Sequence, residues 1–442
     1  MKQHCRLVFY FVVIAVLLPG CGKRDEQVEG KVTITFWHSF VSSTIPSLKE
    51  LISEFEKEHP QIRIKAQYVP TGDGLIQKLV TAVQSNTAPD VSWVHSDFLD
   101  KLVEADAIFP MKEFIDGENG MTPEEITDIF PALLESGKWR GKLYAMPMEA
   151  TSLALLYNKE HFRKAGLDPE HPPNNWKELK EYATKLTVDV NGDGKTDRYG
   201  FYVPVFPASG ELNIWMLLQW TPFLWQAGGE EMNDERTKIL INGEAGVQAL
   251  TFWKELYDAM EFSTFALAHD LGFASQKLAM VMDGPWNLPR YREMKEIDWA
   301  VAPLPAGPAG RATYIAGEQL AIFRQSDFPH EAWTFVKWIL EPRIQAMFSM
   351  SSGYLPVRQS VLKLKEYRAF LERDLALKAF VEQMAFGRAR RTPDYHRVEI
   401  NRAIAEAIEK TMLGREAPQA ALDEAVVKSN ALLKSAKGGL SQ

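Results

Sequence analysis

The sequence predicts an α/β protein with two lobes, and three observations support that prediction. The chain has 442 residues, which is more than one ordinary hydrophobic core accommodates, so two lobes are expected. Strand and helix patterns alternate through residues 31–94, which predicts a parallel sheet with right-handed crossovers. An apolar run over residues 143–158 suits a buried extended segment and is too short to span a membrane.

The first lobe is predicted element by element from its periodicity. Apolar alternation predicts strands at 31–36, 62–68 and 90–94, and helical spacing predicts helices at 48–55 and 75–83. Ligands gather beyond the carboxyl ends of strands in open parallel sheets, so His38, Trp93 and Asp97 are candidate ligand-binding residues. His38 could equally pack or cap a helix, and Asp97 could cap a helix that begins at Phe98.

The apolar run from 143 to 158 contains a single carboxylate, Glu149. Pro147 argues against a helix, and Leu155-Leu156-Tyr157 suits a covered strand. Burying a bare carboxylate costs several kcal/mol, so Glu149 must be paired, hydrogen-bonded or directed into a polar cavity. It is either a satisfied interior acid or a ligand-facing acid on a strand that passes between two lobes.

The segment Gly141-Lys-Leu-Tyr-Ala-Met-Pro-Met-Glu149, with the stretches 162–170 and 172–179, resembles the extracellular solute-binding proteins of ABC importers. The most similar members are the receptors for maltose, glycerol phosphate and other glycosides. The likeness covers nearly all of the chain after residue 30 and implies a two-lobe periplasmic-binding-protein fold with three hinge crossings. In that family the acid at the position of Glu149 touches the sugar. The implied domains are lobe I over 31–146 and 304–350 and lobe II over 147–303 and 351–442.

The N-terminus has the pattern of a targeting segment. Two basic residues precede an apolar run over residues 7–18, as in a secretory signal. The ending Leu18-Pro-Gly-Cys21 resembles a bacterial lipobox, which implies a signal peptide over 1–20 and Cys21 as the diacylated first residue of the mature chain. An ordinary secretory signal with a leftover cysteine is the alternative. Lipidation would anchor an extracytoplasmic protein through a polar tether, residues 21–30, without spanning the membrane.

Residues 189–200 resemble an EF-hand-type calcium loop. Side-chain oxygens stand at the first, third, fifth and ninth positions, with glycine at the sixth for the sharp turn. The candidate metal ligands are Asp189, Asn191, Asp193 and Asp197. Gly200 stands at the twelfth position, where a bidentate Glu is expected, so an Asx- and Gly-rich turn is the alternative. No cofactor is required, and calcium would have a structural role.

Tryptophans cluster in the second lobe, where Trp215, Trp220 and Trp225 follow one another closely. Sugars present flat C–H faces to aromatic rings, so tryptophans near a cleft are typical of glycan recognition. Packing in a helix core is the alternative. It explains Trp225 less well because Pro222 is expected to interrupt a helix.

The turn Asp283-Gly-Pro-Trp286 ends a predicted buried strand. It is similar to a Gly-Pro-Trp turn of the solute-binding family, in which the Trp stacks on a sugar ring. Asp283 and Trp286 are therefore candidate ligand-binding residues, and this turn is the most specific carbohydrate signal in the sequence.

Two later segments resemble the remaining hinge crossings. The second, near residues 299–310, leads into a first-lobe strand through Glu318, which could hydrogen-bond a ligand or face solvent. The third, residues 353–358, places Tyr354 where the family's tyrosine commonly contacts the solute. Arg397, with Arg390 and Arg391 of a basic cluster, could bind an anionic ligand, although such clusters are usually solvated.

Composition and motifs narrow the function. The net charge of −8 gives no case for nucleic-acid binding, and no nucleophile elbow, His-Glu-x-x-His pair or P-loop is present. The sequence predicts a non-enzymatic, monomeric receptor that binds a carbohydrate by hinge closure and delivers it to an ABC permease. The alternatives are a receptor for glycerol phosphate or glycerophosphodiesters, a polysaccharide adhesin, and a glycosidase that uses Glu149 with Asp97 or Asp283.

Overall fold

A computed structural model describes residues 30–70, 73–210, 213–260, 269–393 and 395–439. The predicted signal peptide, Cys21 and the tether up to residue 29 lie outside the described residues, as does the side chain of Asp97. The strands are β1 (Val32–His38), β2 (Ile62–Tyr68), β3 (Val91–Val94), β4 (Lys138–Trp139), β5 (Lys142–Leu143), β6 (Met146–Pro147), β7 (Thr151–Ser152), β8 (Ala154–Asn158), β9 (Met280–Asp283), β10 (Trp299–Ala302), β11 (Thr313–Ala316), β12 (Gln319–Ile322) and β13 (Gly387–Arg388).

Helices cover the sheets and form most of the second lobe. They are α1 (Ile45–Glu58), α2 (Asp73–Gln84), α3 (Leu99–Glu104), α4 (Lys112–Ile115), α5 (Pro123–Thr127), α6 (Pro131–Ser136), α7 (Lys159–Lys164), α8 (Trp176–Leu186), α9 (Asn213–Gln226), α10 (Glu244–Ala259), α11 (His269–Ala274), α12 (Leu288–Glu293), α13 (Pro329–Ile339), α14 (Pro342–Ser352), α15 (Lys365–Leu371), α16 (Leu375–Gln383), α17 (Arg397–Met412) and α18 (Pro418–Gly439). Several start at capping residues that the sequence supplies. Asn158 and Asn175 accept hydrogen bonds from first-turn N–H groups of α7 and α8 at 3.0 and 2.9 Å.

The first lobe is organised by a five-stranded sheet in the order β2-β1-β3-β12-β6. β1 pairs in parallel with β2 and β3, as the sequence predicts. β12 returns late in the chain and pairs antiparallel with both β3 and β6. The carboxyl ends of β1 and β3 therefore lie at one edge of the sheet, next to the segments that lead to the second lobe.

The second lobe contains a three-stranded antiparallel sheet in the order β10-β8-β9. Helix α9 packs against α10 and α17, and α17 packs against α18, so the C-terminal helices complete this lobe. Contrary to expectation, α9 continues through Pro222 without ending. Nearly every residue from Met216 to Gln226 is buried, and that packing offsets the roughly 3 kcal/mol that proline costs inside a helix.

A small sheet in the order β13-β11-β7 joins the lobes. β7 lies between β6 of lobe I and β8 of lobe II, so it is the first crossing, and β11 returns the chain beside it in the antiparallel sense. Leu355 bridges to Ala150 and forms the third crossing. The two-lobe fold with three crossings is thus confirmed, and β13 adds a hinge strand that the sequence analysis did not predict. The domain limits themselves stay a prediction.

The two lobes touch each other outside the hinge. The Ser43 hydroxyl donates to the backbone carbonyl of Trp286 at 3.4 Å. The Arg236 guanidinium lies 3.2 Å from the Glu135 carboxylate. These contacts join the turn at Ser43 and helix α6 of the first lobe to loops of the second lobe.

Candidate functional site

A cleft of about 1190 Å³ opens between the lobes at the carboxyl end of β1. The first lobe contributes His38, Tyr68 and the start of α1, and the second lobe contributes Asn287 and Arg290. Sites for small ligands usually have volumes of about 300–1,000 Å³ and lie between domains. The cleft is somewhat larger than this range, and its location between the lobes makes it the candidate binding site.

Aromatic rings continue from the cleft toward the hinge. The ring of His38 lies 6.0 Å from that of Tyr68 and 5.7 Å from that of Phe40. The Phe40 ring contacts Trp93 at 5.9 Å and Tyr354 at 5.6 Å. These five residues, here called the aromatic wall, bring together three sequence-predicted site residues, His38, Trp93 and Tyr354. Phe40, which links them, was not predicted although it lies two residues after His38.

His38 is buried at the end of β1, and its ring Nδ1 has no hydrogen-bond partner among the described residues. Burial lowers the pKa of His38 to about 4. The imidazole is therefore neutral near pH 7, with one nitrogen that donates and one that accepts. Such a group can either donate a hydrogen bond to a ligand hydroxyl or accept one from it.

Glu149 lies in the first crossing with only 1% of its surface exposed. Its Oε1 accepts a long hydrogen bond, 3.4 Å, from the backbone N–H of Glu318. Its Oε2 has no partner in the part of the chain that the structure describes. Burial raises the pKa of Glu149 to about 8, against smaller lowering effects of backbone N–H groups and of the Trp93 indole. The structure therefore places this acid in a buried position without a cationic partner among the described residues.

Glu318 lies at the entry to β12 and is partly buried. Its carboxylate is 3.2 Å from Nδ1 of His95, whose ring also packs edge-on against Trp93 at 5.4 Å. Sequence reasoning did not single out His95. Its position one residue beyond β3, at the carboxyl edge of the sheet, was the signal that could have found it.

Buried polar atoms without partners occur at several places in the described part of the chain, and one set of them lies near the cleft and the first crossing. Eight side chains of this kind follow β1, lie in or beyond β3, or belong to the first crossing: His38, Ser39, Thr44, Trp93, Asp100, Glu149, Thr151 and Ser152. The atoms concerned have no hydrogen-bond partner among the described residues. Buried polar groups are normally hydrogen-bonded, so a concentration of unpaired ones marks a place that a polar ligand or water would satisfy.

Trp286 stands at the second-lobe side of the cleft, in the short 3₁₀ turn Pro285–Asn287. It is partly exposed, and its ring packs edge-on against Trp215 at 5.9 Å. Gly284 is required here, because a Cβ at that position would overlap the Trp286 ring. The two indoles thus offer a partly open aromatic surface.

The Trp286 turn and the Glu149 crossing meet through Gly353. This residue ends α14 in the left-handed conformation, with φ of 87°, and a Cβ there would come within 2.5 Å of the Pro285 carbonyl oxygen. The next residue, Tyr354, has its pKa raised by burial and by the charges of Glu149 and Glu318. Glu149 of the first crossing and Trp286 of the second lobe therefore approach the same region.

Asp283 is used inside the second lobe, which contradicts the expectation that it binds ligand. Its carboxylate accepts hydrogen bonds from the Gly284 N–H at 2.8 Å, from Asn287 Nδ2 at 2.8 Å and from the Tyr291 hydroxyl at 2.5 Å. It is fully buried, so its oxygens hold the turn that carries Trp286 and are not offered to the cleft.

Trp225 is also committed to the interior of the second lobe and does not line the cleft. Its indole N–H donates to Glu231 at 3.0 Å, and the Arg388 guanidinium covers its ring at 5.1 Å. The expectation that this ring stacks on a sugar is therefore not supported by its surroundings. Glu231 also accepts a hydrogen bond at 3.0 Å from Arg390.

The arginines considered for an anionic ligand have protein partners. Arg397 donates to the backbone carbonyls of Ser96 and Pro393. Arg390 pairs with Glu231, while Arg391 pairs with surface acids. In the cleft itself, Arg290 is paired with Asp270. A phosphate would have to displace these partners.

The predicted calcium loop is closed by its own hydrogen bonds. Asp189 accepts from the N–H groups of Gly192 and Gly194 at 2.6 and 2.8 Å, and Asp197 accepts from that of Val190 at 2.7 Å. These bonds, that of Gly194 first, lower the pKa of Asp189. Within the described residues no group of three or more His, Cys, Asp or Glu side chains is arranged to hold a metal ion. Calcium binding stays a prediction.

None of the helices in the described part of the chain is both long and apolar enough to cross a membrane.

The chain resembles solved structures over most of its length. It aligns with the cyclic α-maltosyl-1,6-maltose binding protein from Arthrobacter globiformis at a TM-score of 0.77 and 28% identity, covering 92% of this chain and all of that one. It aligns with the GacH receptor of Streptomyces glaucescens, crystallised unliganded and with acarbose, at a TM-score of 0.76 and 24% identity, covering 91% and 99%.

Sequence comparisons agree with the structural ones. The chain is 24% identical over 426 residues to the sn-glycerol-3-phosphate-binding periplasmic protein UgpB of Escherichia coli K12, covering 92% of this chain and 94% of that protein. The model of the bacterial extracellular solute-binding protein family matches residues 50–376, well over half of the chain. The chain therefore belongs to the bacterial extracellular solute-binding proteins.

Proposed function

We propose that this protein is an extracytoplasmic receptor that binds an oligosaccharide between its lobes and delivers it to an ABC permease. One observation carries the proposal: the cleft between the lobes is lined by His38, Phe40 and Tyr68 of the aromatic wall, and buried polar side chains without partners lie in the neighbouring strand ends and the first crossing. A saccharide presents both apolar C–H faces and many hydroxyls, so it satisfies rings and polar atoms together. The sugar ligands named for the Arthrobacter and Streptomyces proteins support the same class.

The binding step is closure of the hinge over the ligand. The ligand would first rest on one lobe, and the strands β7 and β11 would let the other lobe swing over it. Closure exchanges water for the indole of Trp286 and for directed hydrogen bonds from His38, Glu149 and Thr151. The aromatic wall, which includes Tyr354, covers the hinge side.

A glycerol phosphate or glycerophosphodiester is the second candidate, favoured by the likeness to UgpB. Phosphate recognition relies on arginine or lysine side chains that can turn toward the ligand. Arg290, Arg390 and Arg397 are already paired with protein groups, which favours a neutral saccharide. Lys49 at the cleft is the remaining lining cation among the residues that the structure describes.

We further propose that the protein has no catalytic activity toward its ligand. Hydrolysis of glycosides needs two carboxyl groups on either side of the scissile bond. Of the described carboxylates near Glu149, Asp283 holds its own turn and Glu318 is paired with His95. The cleft therefore favours binding over hydrolysis.

The membrane anchor, oligomeric state and calcium loop complete the proposal. Cys21 would carry the lipid that holds a monomeric receptor at the membrane, and the loop at Asp189, Asn191, Asp193 and Asp197 would bind structural calcium. Calorimetric titration of the full chain with calcium and then with a chelator tests the loop. No heat and no change of melting temperature would remove calcium from the account.

A thermal-shift screen tests the ligand class. The purified protein would be heated with mono-, di- and trisaccharides and with glycerophosphodiesters. Ligand at a hundred times its Kd stabilises by about 2.7 kcal/mol, so binders are easily detected. We expect stabilisation by oligosaccharides, quenching of tryptophan fluorescence and no released product. Stabilisation by glycerophosphodiesters alone, or slow production of shorter sugars, would contradict the proposal.

A further inference from the structure

We propose that Glu149 binds the saccharide as a neutral carboxylic acid whose Oε2 hydroxyl donates to an acceptor oxygen of the ligand. The inference rests on the proposed function and deepens it, because it assigns the direction of one hydrogen bond in that site. It also predicts which oxygen of the ligand lies at Glu149.

Geometry argues against a charge on this carboxyl group. Glu149 is almost fully buried and receives one long hydrogen bond, 3.4 Å, from the Glu318 N–H. In the described part of the chain no Lys, Arg or His forms an ion pair with it, and its Oε2 has no partner. A buried carboxylate without a cation is costly, the nearby N–H groups and the Trp93 indole do not offset that cost, and protonation removes it.

The titratable groups packed around Glu149 strengthen this conclusion. From β12 comes the Glu318 carboxylate, a like charge that lies beside His95 of the segment after β3. From the third crossing comes the Tyr354 phenol, whose own pKa is raised by burial and by both acids. From β3 comes the neutral Trp93 indole. The imidazole in this set, that of His95, lies against Glu318.

A neutral acid recognises a different ligand atom from a carboxylate. A carboxylate only accepts hydrogen bonds, whereas a carboxylic acid has one O–H donor as well. An oxygen without a proton, such as the ring or glycosidic oxygen of a sugar, can pair only with the donor. We therefore expect an ether oxygen of the saccharide, rather than a hydroxyl alone, to lie against Oε2.

The proposal predicts weaker binding at alkaline pH. Burial raises the pKa of Glu149 to about 8 in the free protein. Above that value the acid ionises, and both the lost donor and the buried charge oppose the ligand. One unit above the pKa about nine-tenths of the groups are ionised, so the Kd should rise about tenfold between pH 6 and 9.

Two measurements on the full chain test the proposal. In the first, glutamate is labelled with ¹³C at the δ carbon, and the Glu149 signal is assigned by its absence in Glu149→Gln. The signal should have the shift of a neutral acid at pH 7 and titrate near 8. In the second, Kd is measured from pH 6 to 9 for whichever of maltose, maltotriose and mannotriose stabilises the protein most.

The variants separate the outcomes. Wild type and Glu231→Gln, a buried acid outside the cleft, should lose affinity with rising pH, whereas Glu149→Gln should bind with a Kd that does not change with pH. A Glu149 signal that titrates below pH 6, or a pH-independent wild-type Kd, would overturn the inference while leaving the receptor intact. If none of the three sugars or the wider screen binds, the proposed function fails, and the donor role fails with it.

Discussion

Two glutamates that are equally buried lie in opposite surroundings. Glu231 in the second lobe is 3% exposed and accepts hydrogen bonds from Arg390 and Trp225, both at 3.0 Å. Glu149 in the hinge is 1% exposed, receives one bond of 3.4 Å from the Glu318 N–H and has no cation beside it. Burial raises the pKa of both, but at Glu231 the charge of Arg390 opposes the shift.

The difference separates acids that hold the fold from an acid that is held for a ligand. A buried charge is tolerated when a cation and hydrogen bonds surround it, as at Glu231. An interior acid without them lowers stability, so such a residue is informative about function. Arg390 lies 3.0 Å from Glu231, whereas no cation pairs with Glu149 within the described residues, which fits this distinction.

The largest expected effect is on stability, when the cation beside Glu231 is removed. Arg390→Met would leave Glu231 buried and unpaired, so the free energy of unfolding should fall by about 3–5 kcal/mol. Arg391→Met is the matched control, because Arg391 pairs with surface acids at 37% exposure and should cost less than about 1 kcal/mol. Urea unfolding of both variants measures this. Equal stability of the Arg390→Met and Arg391→Met variants would show that Glu231 needs no cation. The contrast between Glu231 and Glu149 would then be wrong.

The substitution Glu149→Gln, which removes a buried acid without a cation, should stabilise the ligand-free protein. Its pKa is raised when folded, so its favourable contribution is full below the unfolded value of 4.5 and disappears as pH rises through about 8. Each pKa unit corresponds to about 1.4 kcal/mol. Glu149→Gln removes this loss, so its free energy of unfolding should exceed that of wild type by on the order of 4 kcal/mol at pH 8.

Urea unfolding across pH 4 to 9 checks this prediction. The gain should be near zero at pH 4 and grow with pH, while Glu231→Gln should be less stable than wild type because it leaves Arg390 buried without its partner. A Glu149→Gln protein that is less stable than wild type at pH 8 would mean that the carboxylate has a stabilising partner.

Much of the fold could be predicted because its signals are local. Alternating residues marked β1 and β2, and Pro147 with the apolar run marked the first crossing. The path of α9 could not be predicted, because the cost of Pro222 is offset by burial against elements distant in sequence. The two-residue strand β13 is invisible locally, since it exists only through pairing with β11.

The site could be predicted only in part, because the partners of a polar side chain are often distant in sequence. His38, Trp93, Glu149 and Tyr354 were predicted from strand ends and crossings, and the structure brings them together. Asp283 was wrongly expected to bind ligand because its partner Tyr291 lies in the next helix, where no local pattern reveals it. Ligand-facing and fold-holding polar residues look alike until their partners are known.

Two tryptophans, Trp286 and Trp225, extend the comparison of Glu149 with Glu231, and the expected effect on binding is smaller than the effects on stability. Trp286 is partly exposed at the cleft, whereas Trp225 donates its N–H to Glu231 in the interior. Trp286→Ala should weaken binding of the best saccharide by at least tenfold, about 1.4 kcal/mol, because its ring faces the ligand. Titration of intrinsic fluorescence or calorimetry would measure the Kd.

Trp225→Phe is the matched control, because it keeps an aromatic ring and removes the indole N–H that reaches Glu231. It should leave the Kd unaltered and lower the free energy of unfolding by about 1–3 kcal/mol, the cost of an unmade buried hydrogen bond. If Trp225→Phe weakened binding as much as Trp286→Ala, the surroundings of Glu231 would belong to the binding site. Burial with a complete set of partners would then no longer distinguish a structural acid from one that binds.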